Sequence, residues 1–109
     1  KAMKYFLGLK HKPTAIFAAT DEMAIGAIHS IQDEGYKVPD DFSIISVDNI
    51  HMASMVRPQL TTVAQPMYDI GAVAMRLLTK LMKKENVENA QVILPHETIL
   101  RLSVARVND

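Results

Sequence analysis

The 109 residues predict an α/β fold built on a doubly wound parallel sheet, and three observations carry that prediction. Residues 14–19 form a short unbroken apolar run that gives way at Thr20 to a pattern of helical period. Residues 43–47 and 60–64 are further short runs rich in β-branched residues, each followed by polar side chains. Residues 67–84 form the longest amphipathic segment. A strand, a tight turn and a helix make the half-unit of such a sheet, whose ligands bind beyond the carboxyl ends of the strands.

Taken in order, residues 1–10 place Met3, Phe6, Leu7 and Lys10 at helical spacing and read as the tail of a helix. The run 14–19 reads as a central strand, buried on both faces. Thr20 is a capping hydroxyl, and Asp21 and Glu22 put negative charge in the first turn of a helix, where the backbone dipole favours it. That helix carries Ala24, Ile28 and Ile31 on one stripe and stops at Gly35, a residue type suited to a left-handed end. A second strand over 43–47 ends in Asp48 and Asn49. Residues 50–58 have length for a helical turn or two before Pro58, and a third strand over 60–64 delivers Gln65 and Pro66. On the long helix over 67–84, Ile70, Ala74, Leu77, Leu78 and Leu81 fill one arc, with Asp69, Arg76, Lys80, Lys83 and Lys84 on the other. After a polar link over 85–89, residues 91–95 and 98–102 read as one or two terminal strands.

Composition narrows the function. Twelve basic and twelve acidic side chains cancel, so no global field draws the chain to nucleic acid or to an anionic membrane. Cysteine is absent, which removes disulfide and thiolate chemistry. No apolar run approaches the roughly 20 residues of a membrane span. The chain does not begin with methionine and is expected to be a fragment.

The residue patterns favour binding over catalysis. The four histidines lack an i, i+4 pair, no cysteine partners them, and no nucleophile elbow, phosphate loop or dinucleotide fingerprint occurs. No catalytic residue, metal or cofactor is therefore expected. Thr20, Asp21, Asp48, Asn49 and Gln65 stand at three strand ends, where carboxylates accept hydroxyl hydrogens and amides both donate and accept, as a sugar-like ligand requires. Any one of them alone is equally a helix cap or strand end; the three ends together point to a site. Arg76, Lys80 and Lys84 repeat every four residues, a spacing that fits a solvated face and equally a phosphate clamp. Met23, Ile25, Met52, Met55 and Val56 exceed what one core stripe needs and fit either core or a subunit contact.

Three stretches, residues 13–27, 38–49 and 58–66, resemble the C-terminal half of the lactose/galactose repressor family, and the likeness runs over roughly residues 13–102. Within that family, residues 55–80 resemble the members that serine-phosphorylated phosphocarrier protein HPr activates as a corepressor in carbon catabolite control. The resemblance implies a two-lobed core of periplasmic-binding-protein-like type I, present here in part. Residues 1–65 would belong to the C-terminal lobe, 66–90 would be a helix and link crossing to the N-terminal lobe, and 91–109 would return as terminal strands. It further implies a homodimer, DNA contact through an N-terminal headpiece absent from this chain, and a cytoplasmic location. By position, Thr20, Asp48 and Gln65 are implied effector contacts for a sugar or sugar phosphate, with Thr20 standing where asparagine is usual; Asp21 joins the expected effector contacts from the strand-end rim. Tyr68, Asp69, Arg76, Lys80 and Arg101 are implied corepressor contacts, with Glu97 where an arginine is usual. Ile25, Met55 and Val56 are implied dimer contacts. A sugar-responsive repressor without a protein corepressor, and an extracellular solute-binding protein of the same fold, remain the alternatives.

Overall fold

The structure, a computed structural model, describes residues 1–87 and 90–107. It divides into two compact units: Lys1–Ala64 together with the described residues from Glu97 onward, and Gln65–His96.

The first unit is built around a four-stranded sheet of order β1-β2-β3-β4. Strands β1 (Ala15–Phe17), β2 (Ser43–Asp48) and β3 (Thr61–Ala64) run parallel, with Ile16 opposite Ile44 and Val47 opposite Val63. Strand β4 (Glu97–Ile99) closes the other edge antiparallel to β3. Among the described residues β1 is therefore an edge strand, not the central one that its apolar run predicts, and Phe17 is 64% exposed. A short apolar run reports hydrophobicity, whereas centrality depends on which strands pair with it.

Helix α1 (Ala2–Leu7) and helix α2 (Asp21–Asp33) pack together, and α2 packs on β2. The stripe Ala24, Ile28 and Ile31 is fully buried and meets Phe42, Ile44 and Leu60 in one core. The start and stop of α2 are both chemical. Thr20 caps it by accepting from the Met23 N–H at 3.3 Å. At its end Gly35 adopts φ 84, its N–H donates to the Gln32 carbonyl, and the Tyr36 N–H donates to that of Ile31. This is the paired C-terminal closure that a glycine makes cheap. A 3-10 turn, His51–Ser54, follows β2 and presses Ala53 and Val56 into the core.

Beyond β4 the chain re-enters the sheet. Ser103, fully buried, donates from Oγ to the Ile44 carbonyl at 2.6 Å and accepts from the Thr61 N–H at 2.8 Å. It thus bridges β2 and β3 just before their direct pairing begins at Ile45 and Thr61.

The second unit holds α3 (Met67–Met82) and the segment that follows it. Residues 91–95, expected to form a strand, have no regular structure, and the strand expected over 98–102 is Glu97–Ile99. The helix ends two residues sooner than the predicted 84. Lys84 takes φ 59, and the Glu85 N–H donates to the Lys80 carbonyl. The lysine stripe therefore stops at Lys80, with Lys84 outside the helix. No residue of α3 is buried, and a groove of about 590 Å³ lies between its apolar arc and residues 90–94 and 96. Residues 88 and 89 of the predicted link lie outside the described residues.

Candidate functional site

Parallel pairing sets the carboxyl ends of β1, β2 and β3 at one edge of the sheet. Thr20 follows β1 as the half-buried cap of α2, and Asp48, half-buried, ends β2 opposite Ala64, the last residue of β3. Gln65, predicted for the rim at the third strand end, comes next in the chain but belongs to the second unit.

Asp21 does not belong to the binding surface. It is fully buried, and its carboxylate is engaged on both oxygens. Oδ1 accepts from Ser46 Oγ at 2.6 Å and from Thr62 Oγ1 at 2.6 Å, while Oδ2 accepts from the Ile50 N–H at 2.8 Å. A polar group removed from water requires such partners, and both oxygens of this side chain have them. The predicted effector contact is thus corrected to an internal hub that ties α2 to β2, β3 and the turn after β2. Its partners lie 25, 41 and 29 residues away, so no local pattern reports them.

That turn has an unusual backbone. Asp48 and Asn49 are consecutive non-glycine residues with φ of 134 and 63. The Asn49 side chain accepts at Oδ1 from Arg101 Nη2 at 2.8 Å. Arg101 is itself fastened to β3: its N–H donates to Thr61 Oγ1 at 2.9 Å and its Nη1 to the Leu60 carbonyl at 2.8 Å. The half-buried guanidinium, expected to face a partner, is already committed to two acceptors within its own unit.

The predicted partner-binding residues of α3 are all at the surface: Tyr68 is 87% exposed, and Asp69, Arg76 and Lys80 are exposed. Asp69 and Arg76 stand one heptad apart, and Lys80 follows Arg76 by one turn, which sets the three along one side of the helix. Among the predicted dimer contacts, Met55 is 65% exposed and Ile25 is half-buried against the core. Val56 is corrected: at 8% exposure it belongs to the core, because the turn that leaves Met55 outside directs its neighbour inward. Among the described residues no cluster of three or more metal-ligating side chains occurs, and no helix is long and apolar enough to cross a membrane.

Comparison with known proteins agrees with this architecture. Residues 2–104 match the family of the periplasmic binding protein-like domain. Catabolite control protein A of Priestia megaterium is 58% identical over 103 residues, which are 94% of this chain and 31% of that protein. The same regulator of Staphylococcus epidermidis is 60% identical over 84 residues, 77% of this chain and 26% of that protein. The chain thus spans less than a third of the length of these relatives. In structure, the transcription regulator CcpA of Lactococcus lactis superposes with a TM-score of 0.87 at 45% identity, covering 94% of this chain and 37% of that one. A LacI-family regulator of Enterococcus faecium with bound ribose gives 0.85 at 32% identity, covering 97% and 39%. The chain belongs to the periplasmic binding protein-like domain family, in the form similar to that of catabolite control protein A and other LacI-family transcription regulators.

Proposed function

We propose that the chain is part of the regulatory core of a dimeric, cytoplasmic, DNA-binding transcription regulator in carbon catabolite control, with serine-phosphorylated HPr as its corepressor. The observation that supports this reading is the exposed set Tyr68, Asp69, Arg76 and Lys80 on α3. Two cations one helical turn apart, with an acid one heptad before them on the same side of the helix and an aromatic ring next to that acid in the chain, suit a protein partner that carries a phosphate, since charge-assisted hydrogen bonds to phosphate are strong and orienting. Thr20 and Asp48, at the sheet edge of the first unit, supply polar groups for a sugar or sugar phosphate. The partner would act by preferring one arrangement of the lobes and so shifting the population that holds operator DNA. DNA contact would come from a headpiece outside this chain.

The test is the affinity of the full gene product for serine-phosphorylated HPr. In an Arg76→Glu, Lys80→Glu variant, two attractive contacts become repulsive, and affinity falls by about 100-fold or more, equivalent to roughly 3 kcal/mol. Unchanged affinity refutes the reading. The ribose held by the Enterococcus faecium relative favours one alternative, a sugar-responsive repressor with no protein corepressor. Calorimetry with ribose and glucose 6-phosphate set against serine-phosphorylated HPr separates the two.

A further inference from the structure

We propose that Arg101 is a positioning residue for the small-molecule rim: it latches the left-handed Asp48–Asn49 turn in the conformation that shapes the end of β2. The proposal deepens the small-molecule part of the function proposed above and rests on it for its consequence.

Two adjacent side-chain-bearing residues at positive φ occupy sparsely populated backbone, which persists only where the surroundings over-determine it. The described contacts supply that determination at two successive residues. The Ile50 N–H is held by the buried Asp21 carboxylate at 2.8 Å, and the Asn49 side chain is held by Arg101 at 2.8 Å. The two anchors differ in kind. Asp21 is sealed in the interior and bonded to Ser46 and Thr62, so it forms a fixed post. Arg101 reaches the turn from outside the β2 ladder, with Asn49 exposed and the guanidinium half-buried.

The geometry of Arg101 suits a latch. Its backbone N–H is bound to Thr61 and its Nη1 to the Leu60 carbonyl, so the side chain is immobilised on β3 before it touches the turn. Nη2 then points at Asn49 Oδ1, and one rigid planar fork spans the start of β3 and the turn after β2. A lysine has a single ammonium on a flexible stem and cannot reproduce that two-armed span. Asparagine is among the few side chains that tolerate the left-handed region, and its amide oxygen is the atom that the latch engages. Residues 49 and 101 are 52 positions apart, and the latch ties the last segment of the unit to the sheet edge where ligands of this architecture bind.

The experiment compares the full gene product with its Arg101→Gln, Arg101→Lys and Asn49→Gly variants and the Arg101→Gln, Asn49→Gly double variant. Amide hydrogen exchange is followed by peptide mass spectrometry, with calorimetric titration of glucose 6-phosphate and ribose. Both Arg101 variants should exchange at residues 49 to 52 at least tenfold faster, while residues 44 to 47 of β2 keep their protection. Adding Arg101→Gln to Asn49→Gly should accelerate exchange by less than twofold more, because the latch has lost its target. Sugar or sugar phosphate affinity should fall about tenfold in Arg101→Gln. Unchanged exchange at the turn, or equal acceleration throughout the unit, overturns the latch whatever the sugars do. Localised acceleration with no sugar binding by any form, the unaltered protein included, supports the latch and overturns the small-molecule reading instead.

Discussion

Thr62 Oγ1 on β3 donates to Asp21 Oδ1 at the start of α2 across 2.6 Å, joining residues 41 positions apart in the buried interior. The same oxygen receives Ser46 Oγ, so one carboxylate holds two strands and a helix together. Removing it should be costly out of proportion to its size. Asp21→Ala strands two hydroxyls and the Ile50 N–H without acceptors, and a loss of about 3–5 kcal/mol in unfolding free energy is expected by chemical denaturation. Thr62→Val removes one donor and leaves the carboxylate its other partners, so its loss should be nearer 1–2 kcal/mol. Equal losses in the two variants would show that Asp21 is no hub.

Ser103 carries a second long-range junction. Its hydroxyl donates to the Ile44 carbonyl and accepts from the Thr61 N–H, in full burial. Ser103→Ala leaves both backbone groups unpaired, and about 1–3 kcal/mol of stability should be lost. Hydrogen exchange should localise the weakening to the start of β3, with the Thr61 amide losing its protection first.

The end of α3 is open to improvement. Lys84 occupies the left-handed position that glycine fills after α2, and it pays the steric cost that Gly35 avoids. Lys84→Gly should stabilise the helix by about 0.4–1 kcal/mol, seen as a raised denaturation midpoint.

Adjacent residues Met55 and Val56 should part company. Val56→Ala removes buried methyl groups from the core and should cost about 1–3 kcal/mol. Met55→Ala, at an exposed position, should change stability by less than about 0.5 kcal/mol. Should it weaken self-association in sedimentation measurements, the subunit contact lies at Met55.

Local periodicity made much of this architecture legible. The Ala24, Ile28 and Ile31 stripe, the Thr20 cap and the Gly35 stop are encoded within α2 and its flanks, and each is present in the structure. The period of 3.6 likewise sets Arg76 and Lys80 apart from the apolar arc of α3, a helix with no buried residue. Local pattern does not report the outcome where the deciding neighbour is distant. Asp21 stands in the first turn of a helix, where an acid already has a dipole rationale, and nothing nearby announces that Ser46 and Thr62 will enclose it. Val56 looks like Met55 as a surplus apolar residue until packing against the core divides them. Residues 91–95 have strand composition without a described strand beside them, and β propensity depends on that neighbour.

From the chain of letters alone came the three parallel strands, the helices, the buried stripe and stop of α2, and the polar character of the strand ends, because these depend on neighbours within about one helical turn. Folding in three dimensions settled which acid is sealed inside, which strand lies at the edge, and which guanidinium is spent on an internal amide. Those outcomes depend on hydrogen bonds between residues tens of positions apart, whose geometry exists only once the sheet has brought them within about 3 Å.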